Sequence, residues 1–294
     1  GSMSKTENMI EACDLRRVFK KTVAVDDISF AVQRGTIFGM LGPNGAGKTT
    51  TIRMLTGQIV PTSGSATVAG CDVVRDHAQL KSRIGVVFEE QNLYERLSGM
   101  QNLIFSCWLY GLPRRRAFEV LDLVGLRDRA SDRVRSYSNG MRQRLMIARA
   151  LLHCPQVLFL DEPSRGLDPI AARDVRQAIT DLSQAGMTIL LTTHLMEEAD
   201  QLCKQVAFIA NGRIVANDTP RNFKLAHGQR TIAVTLGDSS AVNGALHDAE
   251  LQMDDRADQQ RLEQWIAAGQ VRAIHSREAT LEEVFVEIAG VRPA

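Results

Sequence analysis

An α/β fold with an inserted helical lobe is what the sequence predicts, and three observations predict it. From about Met9 to Asn211, short β-rich runs alternate with helical patterns. Runs such as Val157-Leu158-Phe159-Leu160 are continuously apolar, as strands covered on both faces of a parallel sheet must be. Between Gly99 and Leu152 the strand signals vanish and helical spacing takes over.

In chain order, strands are expected over Val23–Val32 and Ile37–Leu41, followed by a helix from Lys48 to Leu55. Ile84–Phe88 is the next strand. Inside the lobe, Ala117, Val120, Leu121 and Val124 follow the i, i+3, i+4, i+7 spacing of a buried helix face. Further strands are expected at Val157–Leu160, Thr188–Thr192 and Val206–Ala210. Between the first two of these, Asp168-Pro169 starts a helix, with the aspartate as N-cap and the proline in the first turn. Asn211-Gly212 marks a hairpin into Arg213–Ala216. A strand-like run, Thr231–Leu236, lies further on. The last helix opens with Thr280 and Glu283 at capping-box spacing and carries the stripe Leu281, Val284, Phe285 and Ile288. That stripe serves either the packing of its own small domain or a partner. The expected organisation is an α/β domain over 9–220, its helical lobe at about 99–152, and a small α+β accessory domain over 221–294. Residues 1–8 read as scar and leader, with Gly1, Ser2 and Met3 like a cleavage remnant before the natural start.

Composition excludes several classes. The 294 residues are 44% hydrophobic and 23% charged, ordinary values for a folded domain and foreign to disorder or collagen. Thirty-five Lys and Arg against 34 Asp and Glu leave a formal charge of +1, without the basic excess of a nucleic-acid binder. The five cysteines are widely spaced with no Cys-x-x-Cys pair, which fits reduced thiols rather than a disulfide or zinc framework. No apolar run approaches the roughly 18 residues of a membrane span, and the N-terminus does not read as a signal peptide, so a soluble, cytosolic chain is expected. Ten arginines against four acids fall between Arg114 and Arg149, and Arg114-Arg115-Arg116 reads as the solvated face of the lobe or as a patch for nucleic acid or lipid headgroups.

The chemistry is carried by three strand ends. Gly42-Pro43-Asn44-Gly45-Ala46-Gly47-Lys48-Thr49 satisfies G-x-x-x-x-G-K-[ST], after an apolar strand and before a helix. Its glycines let successive backbone N–H groups turn inward around phosphate, and the helix adds unpaired amides and a positive dipole end. Lys48 can reach the β- and γ-phosphates and Thr49 can offer its hydroxyl to Mg²⁺. A nucleoside triphosphate site is therefore expected. The strand Val157–Leu160 runs into Asp161-Glu162. Beside a phosphate loop, Asp161 suits Mg²⁺ held through water, and Glu162 suits the water that attacks the γ-phosphate. Thr188–Thr193 ends in His194, which falls on the same carboxyl edge of the sheet and can touch the γ-phosphate.

With these residues in order, the chain resembles the ATP-binding subunits of ABC transporters over roughly Met9 to Pro220. The markers are the phosphate loop, the helical lobe, a signature segment, Asp161-Glu162, the Ser164-Arg165-Gly166-Leu167-Asp168 loop and His194. The resemblance implies a phosphate-loop NTPase core of mostly parallel sheet with flanking helices and an antiparallel β subdomain. It implies ATP and Mg²⁺ as ligands, with Phe19 stacked on adenine and Gly42, Pro43, Asn44, Gly45, Ala46, Gly47, Lys48, Thr49 and Thr50 around the phosphates. It implies a head-to-tail dimer in which Ser138, Asn139 and Gly140 meet the partner's nucleotide and Asp168 lies at the interface. Thr49, Asp161 and Glu89 are the implied metal residues; Lys48, Glu162 and His194 are the catalytic ones.

Two positions depart from the family pattern. The signature, usually Leu-Ser-Gly-Gly-Gln, stands as Tyr137-Ser138-Asn139-Gly140-Met141, keeping the serine and the second glycine. The glutamine expected after the Ile84–Phe88 strand is Glu89, which can ligate a cation but cannot donate as an amide does. Both departures resemble the bacterial drug- and polysaccharide-exporter branch, and the tail Thr280-Leu281-Glu282-Glu283-Val284-Phe285 resembles the C-terminal segment of the drug-exporter subunits. The resemblance implies an ATPase motor of an exporter, peripheral on the cytoplasmic face of the membrane. It would act as a homodimer or with a close paralogue, on separate integral membrane permease subunits, with no nucleic-acid partner. A soluble ABC ATPase in cofactor assembly is the alternative.

Overall fold

An antiparallel sheet comes first in the chain. In the computed structural model, which describes residues 7–90, 92–227, 231–237, 247–277 and 279–290, strand β1 (Asn8–Phe19) turns through Lys20-Lys21 into β2 (Thr22–Gln33). β4 (Ser63–Val68) pairs with the other edge of β1, and β5 (Cys71–Asp72) completes the order β2-β1-β4-β5. β1 and β4 are strands that the apolar pattern does not announce. In β1 the register shifts repeatedly, and Asp14 takes φ 49°, so the period-2 alternation breaks at the bulges. Gly1, Ser2 and Met3 lie outside the described residues.

The second sheet holds the site. β3 (Ile37–Leu41), β6 (Ile84–Val87), β7 (Val157–Asp161), β8 (Thr188–Thr193) and β9 (Gln205–Ala210) run parallel. β10 (Arg213–Asp218) adds an antiparallel edge, giving the order β10-β9-β3-β8-β7-β6. β3, β7 and β8 are buried at every position, the burial that their unbroken apolar runs require. Asn211 and Gly212 take φ 50° and 77°, the left-handed pair that a two-residue hairpin between twisted strands demands. Phe30 of β2 stacks on Phe38 of β3 with centroids 5.2 Å apart, inside a core shared by both sheets.

Helices cover this core. α1 (Lys48–Leu55) follows β3, and α2 (His77–Arg83) precedes β6. The lobe consists of α3 (Gly99–Leu109), α4 (Arg115–Leu123) and α5 (Asn139–Ala150). Ala117, Val120, Leu121 and Val124 are all buried, as their spacing predicts. α6 (Pro169–Gln184) and α7 (Met196–Leu202) connect β7, β8 and β9.

A second compact unit begins at Pro220. It holds α8 (Pro220–His227), β11 (Thr231–Leu236), β12 (His247–Gln252), α9 (Arg256–Ala267), β13 (Val271–Arg277) and α10 (Leu281–Ala289). The strands form an antiparallel sheet in the order β12-β11-β13. The capping box at α10 is formed: Glu283 N–H donates to Thr280 Oγ1 at 3.2 Å, and Thr280 N–H to Glu283 Oε2 at 2.8 Å. Leu281, Val284 and Phe285 are buried and Ile288 is partly so, with α8 of the same unit against the helix.

Candidate active site

Parallel pairing puts three strand ends side by side. Leu41 pairs with Thr193 and Asp161 with Thr192, so the segments after β3, β7 and β8 leave the sheet at one edge. The loop after β3 wraps tightly. Gly42 passes so close to β9 that a Cβ there would sit 2.1 Å from the Ile209 carbonyl oxygen. Gly47 takes φ 106°, and a Cβ on it would lie 2.6 Å from the Ala24 carbonyl oxygen. Ala46 N–H donates to Pro43 O, and Gly212 N–H donates to Ala46 O, which ties the β9–β10 hairpin to the loop. The result is a cleft of about 150 Å³ lined by Ala24, Asn44, Gly45, Gly47, Lys48, Thr49, Thr50, Glu89, Glu162 and Arg165. α1 starts at this cleft with no side chain capping its first turn, so its N–H groups are open to an anion.

Lys48 is only 5% exposed and is held from three sides. Its ammonium donates to Gly42 O at 2.5 Å and Pro43 O at 3.2 Å, and lies 3.1 Å from Glu162 Oε1. Glu162 is 7% exposed. Its second oxygen, Oε2, sits 2.7 Å from His194 Nδ1 and also accepts the His194 backbone N–H at 3.4 Å. Oε1 faces the Lys48 ammonium and, among the described residues, takes no directed hydrogen bond, so it keeps lone-pair capacity for a small polar group. One residue earlier, Asp161 Oδ2 accepts from the Thr49 hydroxyl at 2.8 Å and Oδ1 accepts from the Thr192 hydroxyl.

In an unbroken strand, Asp161 and Glu162 would point to opposite faces. They do not, because the strand ends at Asp161 and Glu162 adopts φ 52°. This left-handed turn, pinned by Glu162 N–H donating to Thr192 O at 3.0 Å, brings the two carboxylates to the adjacent residues Lys48 and Thr49. The cradle fits a polyphosphate: glycines where a Cβ would clash, a buried ammonium and open helix amides. It also fits a hard cation. Among the described residues, no three His, Cys, Asp or Glu side chains gather as a metal site. A cation here would draw on the Thr49 hydroxyl, Asp161 and the phosphate oxygens.

The structure thus brings together Lys48, Thr49, Asp161, Glu162 and His194. The remaining expected residues lie elsewhere. Phe19 is exposed at the β1–β2 turn, with the Arg17 guanidinium 4.5 Å from its ring centroid. Ser138 caps α5 by accepting Met141 N–H at 3.2 Å. Ser138 and the exposed Asn139 stand away from the cleft lining, while Gly140 is buried against Ala171. Asp168 caps α6 through the N–H groups of Ile170 and Ala171. Glu89 reaches the cleft but pairs with Arg165 at 2.9 Å rather than with Thr49 or Asp161. Sequence reasoning did not find Thr192, Arg165 or Ala24. Two carried a signal: Arg165 lies in the marker loop after Glu162, and Thr192 is a polar residue inside a buried apolar strand.

Known proteins resemble this chain over most of its length. The family described as ABC transporter matches residues 25–165. A fluoroquinolones export ATP-binding protein of Mycobacterium tuberculosis is 45% identical over 268 residues, covering 91% of this chain and 88% of the relative. The daunorubicin/doxorubicin resistance ATP-binding protein of Streptomyces peucetius is 40% identical, covering 79% of this chain and 72% of the relative. Among solved structures, cbiO1 from Clostridium perfringens, part of an ABC transporter complex, superposes with a TM-score of 0.69. It is 26% identical and covers 74% of this chain and 90% of its own. The expected core, a phosphate-loop α/β domain with an antiparallel subdomain and helical lobe, is the fold this chain has.

Proposed function

Because this chain belongs to the family of ABC transporter ATP-binding proteins, we propose that it is the ATP-hydrolysing motor of a drug-type exporter. The observation that carries the reading is the run of contacts from the buried Lys48 and Glu162 to the half-buried His194, beside the Thr49–Asp161 pair. The relatives' names speak of export and drug resistance, which leaves the cofactor-assembly alternative without support.

Lys48 and the N–H groups of the loop and first α1 turn hold the β- and γ-phosphates of ATP, with Gly42, Pro43, Asn44, Gly45, Ala46, Gly47 and Thr50 shaping the cradle. Thr49 and Asp161 hold Mg²⁺, which supplies charge neutralisation at the phosphate oxygens. Glu162 Oε1, buried and lacking a directed hydrogen bond, orients the attacking water and takes its proton as the bond to the leaving ADP breaks. His194 fixes Glu162 through Nδ1 and contacts the γ-phosphate. Phe19 stacks on adenine by the face that Arg17 leaves open. Ser138, Asn139 and Gly140 meet the nucleotide of a second subunit, a homodimer partner or close paralogue, with Asp168 at that interface. Glu89, paired with Arg165, serves the metal only if that pair opens.

Among the described residues no helix is long and apolar enough to cross a membrane. On the likeness to transporter ATP-binding proteins, the reading assigns the transmembrane path to separate permease subunits, with this chain on their cytoplasmic face. The test is affinity purification of the tagged chain from gently solubilised native membranes, with mass spectrometry of what copurifies. A polytopic membrane protein near stoichiometry supports the motor; soluble partners alone, with the chain absent from membranes, refute it.

A further inference from the structure

Glu198 is a buried carboxylate that the reaction described above does not use. It lies on α7, only 2% exposed, a little over one turn beyond His194. Its Oε1 accepts from the hydroxyl of Ser164, which is also buried, and its Oε2 makes no directed hydrogen bond among the described residues. Burial pushes the Glu198 carboxyl above the usual carboxylate range, and the nearby Glu162 charge adds to this. The Ser164 and Thr193 hydroxyls and the Arg176 charge pull the other way without cancelling it. A carboxylate in such a place is costly to bury, and a neutral side chain would fill the space more cheaply.

What the carboxylate secures is visible in the topology. Ser164 stands between Glu162 and Asp168 in the loop after β7, while Glu198 stands on the helix that follows His194 after β8. The two strand ends are therefore joined twice, first by Glu162 Oε2 and His194 Nδ1 at 2.7 Å and again by Ser164 and Glu198. The first joint is made by residues that meet substrate. The second is buried behind them, with no residue in the cleft lining.

We propose that Glu198 is a positioning residue, which through Ser164 holds the 162–168 loop at a fixed spacing from His194. That spacing keeps the water-orienting carboxylate and the phosphate-contacting histidine in register, and it sets where Asp168 stands at the end of the same loop. The inference rests on the ATPase reading of the site.

The test is steady-state ATPase kinetics on the purified full chain. Ser164→Ala and Glu198→Ala should each lower kcat about tenfold, with KM for ATP within about twofold of the parent. The double variant should be no slower than Glu198→Ala, because each single change already breaks the one joint. Glu198→Gln, whose amide oxygen still accepts from Ser164, should recover most of the loss. A Ser164→Ala kcat equal to the parent overturns the proposal, as do additive single effects or kcat losses matched by equal rises in KM. If Glu198→Ala does not fold, Ser164→Ala and Glu198→Gln decide alone. An unmodified chain with no ATP turnover would instead overturn the ATPase reading, and this inference with it.

Discussion

Glu162→Gln tests the charge logic of the site most directly. The carboxylate faces two partners, Lys48 at 3.1 Å and His194 at 2.7 Å. At an effective dielectric of about 20, unit charges at the Lys48 distance attract by about 5 kcal/mol. Much of that is offset by the desolvation of two groups that are 5% and 7% exposed. The variant removes the attraction but leaves Lys48 its bonds to Gly42 O and Pro43 O, so the ammonium stays in the cradle. It then faces phosphate without a competing carboxylate, and ATP should bind at least as tightly as in the parent. Turnover, in contrast, loses its base and should fall by about 100- to 10,000-fold. Equilibrium binding of ATP, single-turnover hydrolysis and the mass of the ATP-saturated species by light scattering measure the three consequences. An ATP-bound dimer with little turnover is expected. Hydrolysis within about threefold of the parent, or a chain that stays monomeric at saturating ATP, would refute the reasoning.

Three further perturbations test the surroundings. Gly47→Ala places a Cβ 2.6 Å from the Ala24 carbonyl in a residue at φ 106°; it should cost at least about 1–3 kcal/mol and abolish nucleotide binding, and an unchanged Tm and Kd would contradict the close-approach argument. Thr192→Val removes the hydroxyl on Asp161 Oδ1, within a carboxylate only 3% exposed. Urea titration should register a loss of about 1.5–3 kcal/mol at constant m, and half-maximal ATPase should need more Mg²⁺. Phe285→Ala empties a fully buried position in α10 and should cost its unit about 3–5 kcal/mol, read as an earlier thermal transition in the full chain; full retention of Tm would mean that the stripe packs on nothing.

What was legible in the sequence divides along physical lines. The phosphate loop was legible because its demands are contiguous: small residues where the backbone passes Ile209 O and Ala24 O, and Lys48 and Thr49 at the following helix start. The buried strands were legible because covering both faces leaves no alternation to misread. β1 was not, since its bulges and the left-handed Asp14 scramble the pattern. α9 has no buried residue and therefore no stripe to find. The Ser164–Glu198 joint spans 34 residues and exists only because β7 and β8 are neighbours. Most telling is Asp161-Glu162. The pair was visible as residue types, yet strand geometry would send one carboxylate away from the phosphate loop. The sheet edge resolves this by ending the ladder at Asp161 and turning Glu162 left-handed, a conformation that costs a non-glycine residue about 1–3 kcal/mol. Thr192 holds both halves of that turn, its carbonyl and hydroxyl receiving the Glu162 N–H while the same hydroxyl donates to Asp161. The site thus depends on a threonine outside the cleft lining, because that residue holds the turn that brings Glu162 to Lys48 while Asp161 meets Thr49.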